Sequence, residues 1–176
     1  MAKYTVTRKL EIDAAHRITT HGSQCRHIHG HRYVIEVTCE AEMLNTTGTE
    51  TDMVLDFSFI KQEMVRQIEG PCDHGFILSL HDDELLQRLS PEGTNWQAWK
   101  AELSEAVDGN GYCSTTNAYM ETRLYIVPFQ STAECLARHW YQRLSPAING
   151  VNGSNVKVKS VTVWETPNCF AVYQED

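Results

Sequence analysis

The sequence predicts an α+β fold: a four-stranded antiparallel sheet with two helices packed on one face. Two segments near the start alternate apolar and polar residues, as half-buried strands do. Two later segments space their apolar residues as helices do. Two short β-patterned segments close the chain, so the order is strand, strand, helix, helix, strand, strand.

Residues 4–12 open the pattern, with Tyr4, Val6, Leu10 and Ile12 apolar and Arg8 breaking the alternation. Residues 33–43 form the second strand and place Tyr33, Ile35, Val37 and Cys39 on one face. Asn45-Thr-Thr-Gly-Thr-Glu-Thr is turn-like. Asp56 can cap the first helix, in which Phe57, Ile60, Met64, Val65 and Ile68 recur, and Gly70-Pro71 is expected to stop it. The second helix is expected from near Ser131, with Thr132 and Glu134 close to a capping arrangement. Ala133, Leu136, Ala137, Trp140, Tyr141 and Leu144 form its apolar stripe, and Pro146 its expected end. Val156, Val158, Val161 and Val163 belong to the third strand, Phe170 and Val172 to the fourth, with Thr166-Pro-Asn as the turn.

Residues from about 82 to 130 do not fit this skeleton. They hold Pro91-Glu-Gly-Thr, a short helix expected around Trp96 to Val107, Asp108-Gly-Asn-Gly, and a stretch rich in Thr, Asn and Tyr. A connection that long is uncommon in a compact domain and reads as an insertion. The organisation expected is one domain over 1–176 with an insertion at about 82–130, since 176 residues are one domain's worth.

Hydrophobic residues make up 41% and charged residues 22%, which argues against disorder. The net charge of −8 disfavours a nucleic-acid binder, which needs clustered Lys and Arg. The six cysteines are scattered with no C-x-x-C pair, the opening Met-Ala-Lys-Tyr-Thr-Val has no apolar core of a signal sequence, and no apolar run approaches a bilayer span. A soluble, cytoplasmic protein with free thiols and no membrane partner is expected.

The chemistry concentrates in Cys25-Arg26-His27-Ile28-His29-Gly30-His31. Residues two apart entering a strand share a face, so H-x-H offers two imidazoles side by side. His16, at the end of the preceding strand, is placed to be a third metal ligand if the two strands pair. Any two of His27, His29 and His31 fit the alternation. Cys25 fits either as a fourth ligand of a closed structural site or as an unbound thiol beside an open catalytic one. Surface loop histidines are the ordinary alternative. Asp73-His74 is an adjacent acid and imidazole able to relay a proton, although taken alone the dipeptide is a weak signal and a solvated turn is its ordinary reading. Glu165, at the end of an apolar strand, could accept two N–H bonds from a planar amidine-like edge.

Together these residues resemble the 6-pyruvoyltetrahydropterin synthase / 6-carboxytetrahydropterin synthase (QueD) family. The matching motifs are Ala14-Ala15-His16, Cys25-x-x-x-His29-Gly30-His31, Val54-Leu55-Asp56-Phe57-x-x-Ile60-Lys61, Asp73-His74, Ser131-Thr132-x-Glu134 and Trp164-Glu165-Thr166. The resemblance implies the T-fold, whose subunits assemble into barrels, commonly a hexamer of two trimers with sites at subunit interfaces. It implies Zn2+ held by His16, His29 and His31, with Cys25, Asp73 and His74 as the catalytic residues. Glu165 would anchor the pterin, with Thr132 and Glu134 lining its pocket. The short Cys-x-x-x-His-Gly-His spacing is similar to the QueD branch. That branch converts 7,8-dihydroneopterin triphosphate to 6-carboxy-5,6,7,8-tetrahydropterin, acetaldehyde and triphosphate in the queuosine (7-deazaguanine) pathway. The product 6-pyruvoyltetrahydropterin and a non-catalytic zinc- and pterin-binding module are the alternatives. Two features depart from the family: the long 82–130 stretch, and an acidic chain for a triphosphate substrate. Arg17, Arg26 and Lys61 are the candidates for binding the triphosphate.

Overall fold

The computed structural model describes residues 3–175. β1 (Tyr4–His16) and β2 (His29–Ala41) pair antiparallel along their whole length, from Tyr4 opposite Ala41 to His16 opposite His29. β2 pairs with β6 (Lys157–Thr166), and β6 with β7 (Cys169–Gln174), both antiparallel. These are the four strands expected. Among the described residues the sheet nevertheless has seven strands, in the order β4-β5-β3-β1-β2-β6-β7. β3 (Gly75–Ser79) lies parallel to β1, β5 (Leu124–Val127) parallel to β3, and β4 (Cys113–Thr115) antiparallel to β5. The extra strands escape a periodicity search for a physical reason. They are three to five residues long, and β5 is buried at every position. A strand covered on both faces shows no alternation.

The first helix begins as expected, where the Asp56 carboxylate accepts the Ser58 N–H at 2.6 Å. It does not stop at Gly70-Pro71. α1 (Phe57–Met64) runs through a π-helical turn (Val65–Glu69) into α2 (Gly70–Cys72), and the chain becomes extended only at Asp73. Pro71 has no N–H to offer the carbonyl four residues back, but Arg143 Nη1 donates to Gln67 O at 3.0 Å in its place.

Two helices fall inside the 82–130 stretch: α3 (Asp83–Leu89), and α4 (Trp96–Asn110), which covers the short helix expected there. α5 (Ala133–Ile148) is capped by Thr132, whose hydroxyl accepts the Cys135 N–H. Pro146 lies inside α5 rather than ending it. The last turn still closes from Asn149 N–H to Ser145 O, and Gly150, with φ of 69°, breaks the helix.

The helices are not confined to one face. α1 and α5 cover the face carrying Ile12, Tyr33, Ile35 and Val37, while α3 and α4 pack on Leu78, Leu124 and Ile126 on the other. In β6 a bulge opposite Thr38 and Cys39 puts Val158 and Val161 on the same buried face, although they are three residues apart. On β7, Ala171 and Tyr173 pack on the core, whereas Phe170 and Val172 are about half exposed and Phe170 stacks on Trp164. Among the described residues no helix is long and apolar enough to cross a membrane.

Candidate metal centre

Register builds the centre. Because His16 pairs with His29 and Ala14 with His31, the three histidines alternate onto the same face of the β1–β2 ladder as the buried Ile12 and Tyr33. One ring nitrogen from each of His16, His29 and His31 lies within 4.8 Å of the others. Cys25 and His27 do not belong to this group.

Two backbone carbonyls orient the rings. His16 Nδ1 donates to Ser131 O at 2.9 Å, and His29 Nδ1 donates to His27 O at 2.8 Å. A carbonyl only accepts, so Nδ1 carries the proton in both rings and Nε2 keeps its lone pair. Backbone partners of this kind orient metal-bound imidazoles. The buried Nε2 atoms of His16 and His31 have no hydrogen-bond partner among the described residues. Buried polar atoms are normally satisfied, so two buried ring nitrogens left without partners fit a divalent cation. Burial pushes the His16 pKa down to about 4, against the Ser131 bond and with help from the neighbouring imidazoles. Burial also lowers His31, and His29 adds to it. His16 and His31 therefore favour the neutral form that ligates metal.

Around this core lie groups of three kinds. Cys25 sits half-buried in a 3-10 turn, Gln24–Arg26, tied to the end of β1 by the Ile18 N–H, which donates to its carbonyl at 2.8 Å. Ser131 and Thr132, at the start of α5, reach His16 through Ser131 O, and Glu134 follows in the first helical turn. Glu165, near the end of β6, has its pKa raised by burial and by the charge of Glu134, with His29 opposing. A further group is not evident from sequence. Tyr33 is fully buried with its hydroxyl unpartnered, and its ring centroid lies 5.3 Å from that of His31 and 5.7 Å from that of His16. The H-x-H alternation extends two residues to Tyr33, and that is the signal that could have found it.

Asp73 and His74 lie elsewhere. Asp73 Oδ1 accepts the Asp13 N–H at 2.9 Å, and its Oδ2 pairs with His74 Nδ1 at 2.8 Å. Burial pushes the Asp73 carboxyl up, but these hydrogen bonds outweigh it and hold the pKa below the usual value. His74 has a φ of 54° and is exposed. It borders a cleft of about 840 Å³ shared with Ala15, Gly30, Arg32, Phe76 and Arg123. Ala15, Gly30 and Arg32 alternate onto the sheet face away from the histidine rings. His31 borders this cleft too, but no hydrogen bond joins the Asp73–His74 pair to the three histidines among the described residues.

Of the cations expected to meet phosphate, Arg17 is committed elsewhere. It makes a two-pronged pair with Asp82 at 2.6 and 2.5 Å and approaches Glu84 at 3.4 Å. Arg26 and Lys61 are exposed.

Residues 5–176 match the family model of 6-pyruvoyl tetrahydropterin synthase. The 6-carboxy-5,6,7,8-tetrahydropterin synthase of Rickettsia felis is 31% identical over 164 residues, 93% of this chain and 95% of that protein. The protein of the same name from Haemophilus influenzae is 27% identical over 172 residues, 98% and 99% of the two chains. Among solved structures, an uncharacterized protein of Wolinella succinogenes superposes with a TM-score of 0.73 at 22% identity, covering 100% of both chains. The 6-pyruvoyl tetrahydropterin synthase of Plasmodium vivax gives 0.61 at 19% identity, covering 100% of this chain and 99% of that one. At those identities the structures speak for a shared fold.

Proposed function

The chain belongs to the 6-pyruvoyl tetrahydropterin synthase family, and on that premise we propose that it is a zinc-dependent 6-carboxy-5,6,7,8-tetrahydropterin synthase. The reaction is a carbon–oxygen lyase step: 7,8-dihydroneopterin triphosphate goes to 6-carboxytetrahydropterin, acetaldehyde and triphosphate, serving queuosine biosynthesis. One observation carries the reading: two buried, unpartnered Nε2 atoms in a convergent trio of histidines, with Cys25 outside the trio and free. The names of the relatives support the choice of product.

In this reading His16, His29 and His31 hold the ion. A bound zinc ion supplies Lewis acidity at the oxygens of the substrate side chain. Cys25 takes a proton from the activated side chain, and His74, oriented by Asp73, exchanges protons with the same substrate. Glu165 accepts N–H bonds from the aminopyrimidine edge beside Thr132 and Glu134. The N–H bonds of such an occupant would favour the carboxylate against the burial and like charge that raise the Glu165 pKa.

The domain is a single T-fold unit with 82–130 as an insertion. It works in the cytoplasm as a homo-oligomer, a barrel of two trimers. Because His74, paired with Asp73, borders a cleft on the far side of the sheet from the histidine rings, the pair serves the metal site of a neighbouring subunit.

Product analysis tests this. Zinc-loaded protein incubated with dihydroneopterin triphosphate should release acetaldehyde and a carboxylated pterin. A 6-pyruvoyl product retaining the two-carbon fragment would assign the sister activity instead. Tight pterin binding without any product would leave a non-catalytic module.

A further inference from the structure

We propose that Arg123, carried by the 82–130 stretch, is the cation that holds the phosphate groups of the substrate beside His74. This rests on the proposed synthase reading and deepens it. It also answers how an acidic chain, with its Arg17 committed to Asp82, can take a polyanion.

Placement is the first argument. Phe76 N–H donates to Arg123 O at 2.9 Å, and Phe76 pairs with Leu124, which fixes Arg123 alongside Gly75 at the start of β3, one residue past His74. Its side chain lies across Gly75, the residue directly after His74. A Cβ on Gly75 would come within 3.1 Å of Arg123 Cγ and 3.0 Å of Arg123 O. The position is therefore open only because residue 75 has no side chain. Arg123 borders the cleft, and its Nη1 donates to Gly70 O at 2.7 Å, a single bond that leaves most of the guanidinium donors without a partner among the described residues.

Charge is the second argument. Arg32, the other arginine of the cleft, is answered by Asp13 at 3.2 and 3.3 Å. Arg123 makes no ion pair among the described residues. Two acidic groups border the cleft, Asp13, which is paired with Arg32, and Glu121, which opposes an anion there. A planar guanidinium bound only to a neutral carbonyl matches phosphate oxygens two at a time.

The loop is the third argument. Met120 and Glu121 are consecutive non-glycine residues at φ of 57° and 52°, a left-handed turn directly ahead of Thr122 and Arg123. Strain of this kind survives where the surroundings demand it, and it is concentrated at functional sites.

The test uses inorganic tripolyphosphate and the full-length, zinc-loaded protein in calorimetric titrations. Saturable binding is expected, weakened roughly 10-fold or more in Arg123→Ala, partly restored in Arg123→Lys and strengthened in Glu121→Gln. Arg123→Lys keeps a donor toward Gly70 O, so it carries the comparison should Arg123→Ala fold poorly. In turnover assays KM for the triphosphate substrate should rise more than kcat falls. Failure of the unmodified protein to bind tripolyphosphate, or equal binding by unmodified protein and both Arg123 variants, overturns the assignment. Arg123-dependent tripolyphosphate binding without turnover of dihydroneopterin triphosphate would overturn the synthase reading and keep the anion site. Turnover with KM unmoved by Arg123→Ala would do the reverse.

Discussion

At the scale of single residues the centre depends on which nitrogen carries a proton. Two carbonyls, Ser131 O and His27 O, take the Nδ1 protons of His16 and His29 and turn their Nε2 lone pairs outward. Cys25 lies outside the trio, so in the proposed mechanism it moves protons and does not ligate. Cys25→Ala should then lower turnover about 10²–10⁴-fold while bound zinc, measured by elemental analysis, stays stoichiometric. Zinc lost together with activity would make the thiol a ligand. The three histidines were legible because alternation and strand pairing are local rules. Choosing between His27 and its neighbours by pattern alone was not possible, since all three share the spacing. Arg123 was illegible for the opposite reason. Its nearness to His74 is made by pairing between strands whose sequences carry no alternation.

At the scale of elements, the β1–β2 ladder sets the distance between His16 and the other two rings. Gly30 lies opposite Ala15 in that ladder, and a Cβ there would come within 3.2 Å of Ala14 O, a backbone atom that cannot rotate away. Gly30→Ala should push the strands apart between His29 and His31. We expect zinc affinity, measured by chelator competition, to fall at least ~10-fold, with stability lowered by about 1–3 kcal/mol as for other overpacked sites. Native affinity would show that the ladder accommodates the methyl without moving the ligands.

α5 makes a second element-scale prediction. Arg143 donates to the Tyr125 hydroxyl at 2.5 Å, so that hydroxyl gives its own proton to His139 Nε2 at 2.7 Å, and His139 is neutral. Burial, with the charges of Arg143 and Arg138, pushes the His139 pKa down to about 3, below the ~6.5 of an unfolded histidine. Between those values the unfolded chain binds the extra proton. This histidine therefore favours folding fully above about pH 6.5, and its contribution declines as pH falls, by at most about 1.4 kcal/mol per unit. Chemical denaturation from pH 7 to 4 should show a shallower pH slope in His139→Gln than in the unmodified protein. Equal slopes would mean that His139 does not titrate on unfolding. The same region marks the limit of what pattern revealed about the helices. Asp56 and Thr132 were legible as starts because caps are local. Gly70-Pro71 misled as a stop because the donor to Gln67 O comes from Arg143, 76 residues away in sequence.

At the scale of the whole molecule, the sheet separates the proposed chemistry into two parts. The trio of histidines, Glu165 and the start of α5 form one cluster, with Cys25 in the loop that leads into His29, and His74, paired with Asp73, borders the far-side cleft together with Arg123. Among the described residues β7 has no strand on its outer side, and it leaves Phe170 and Val172 half exposed, the type of edge that pairing between subunits would cover. If a neighbour completes each site, one chain never needs both parts intact. Cys25→Ala and His74→Ala should each be inactive alone, yet subunits mixed at random should recover about a quarter of the native activity. The reason is that one site in four draws a sound Cys25 from one chain and a sound His74 from the next. Co-expression with two different affinity tags, followed by tandem purification and acetaldehyde assay, measures this. Mixed oligomers that remain inactive would place Asp73 and His74 in the service of their own chain, across the sheet, and would require the cleft and the metal centre to communicate through His31.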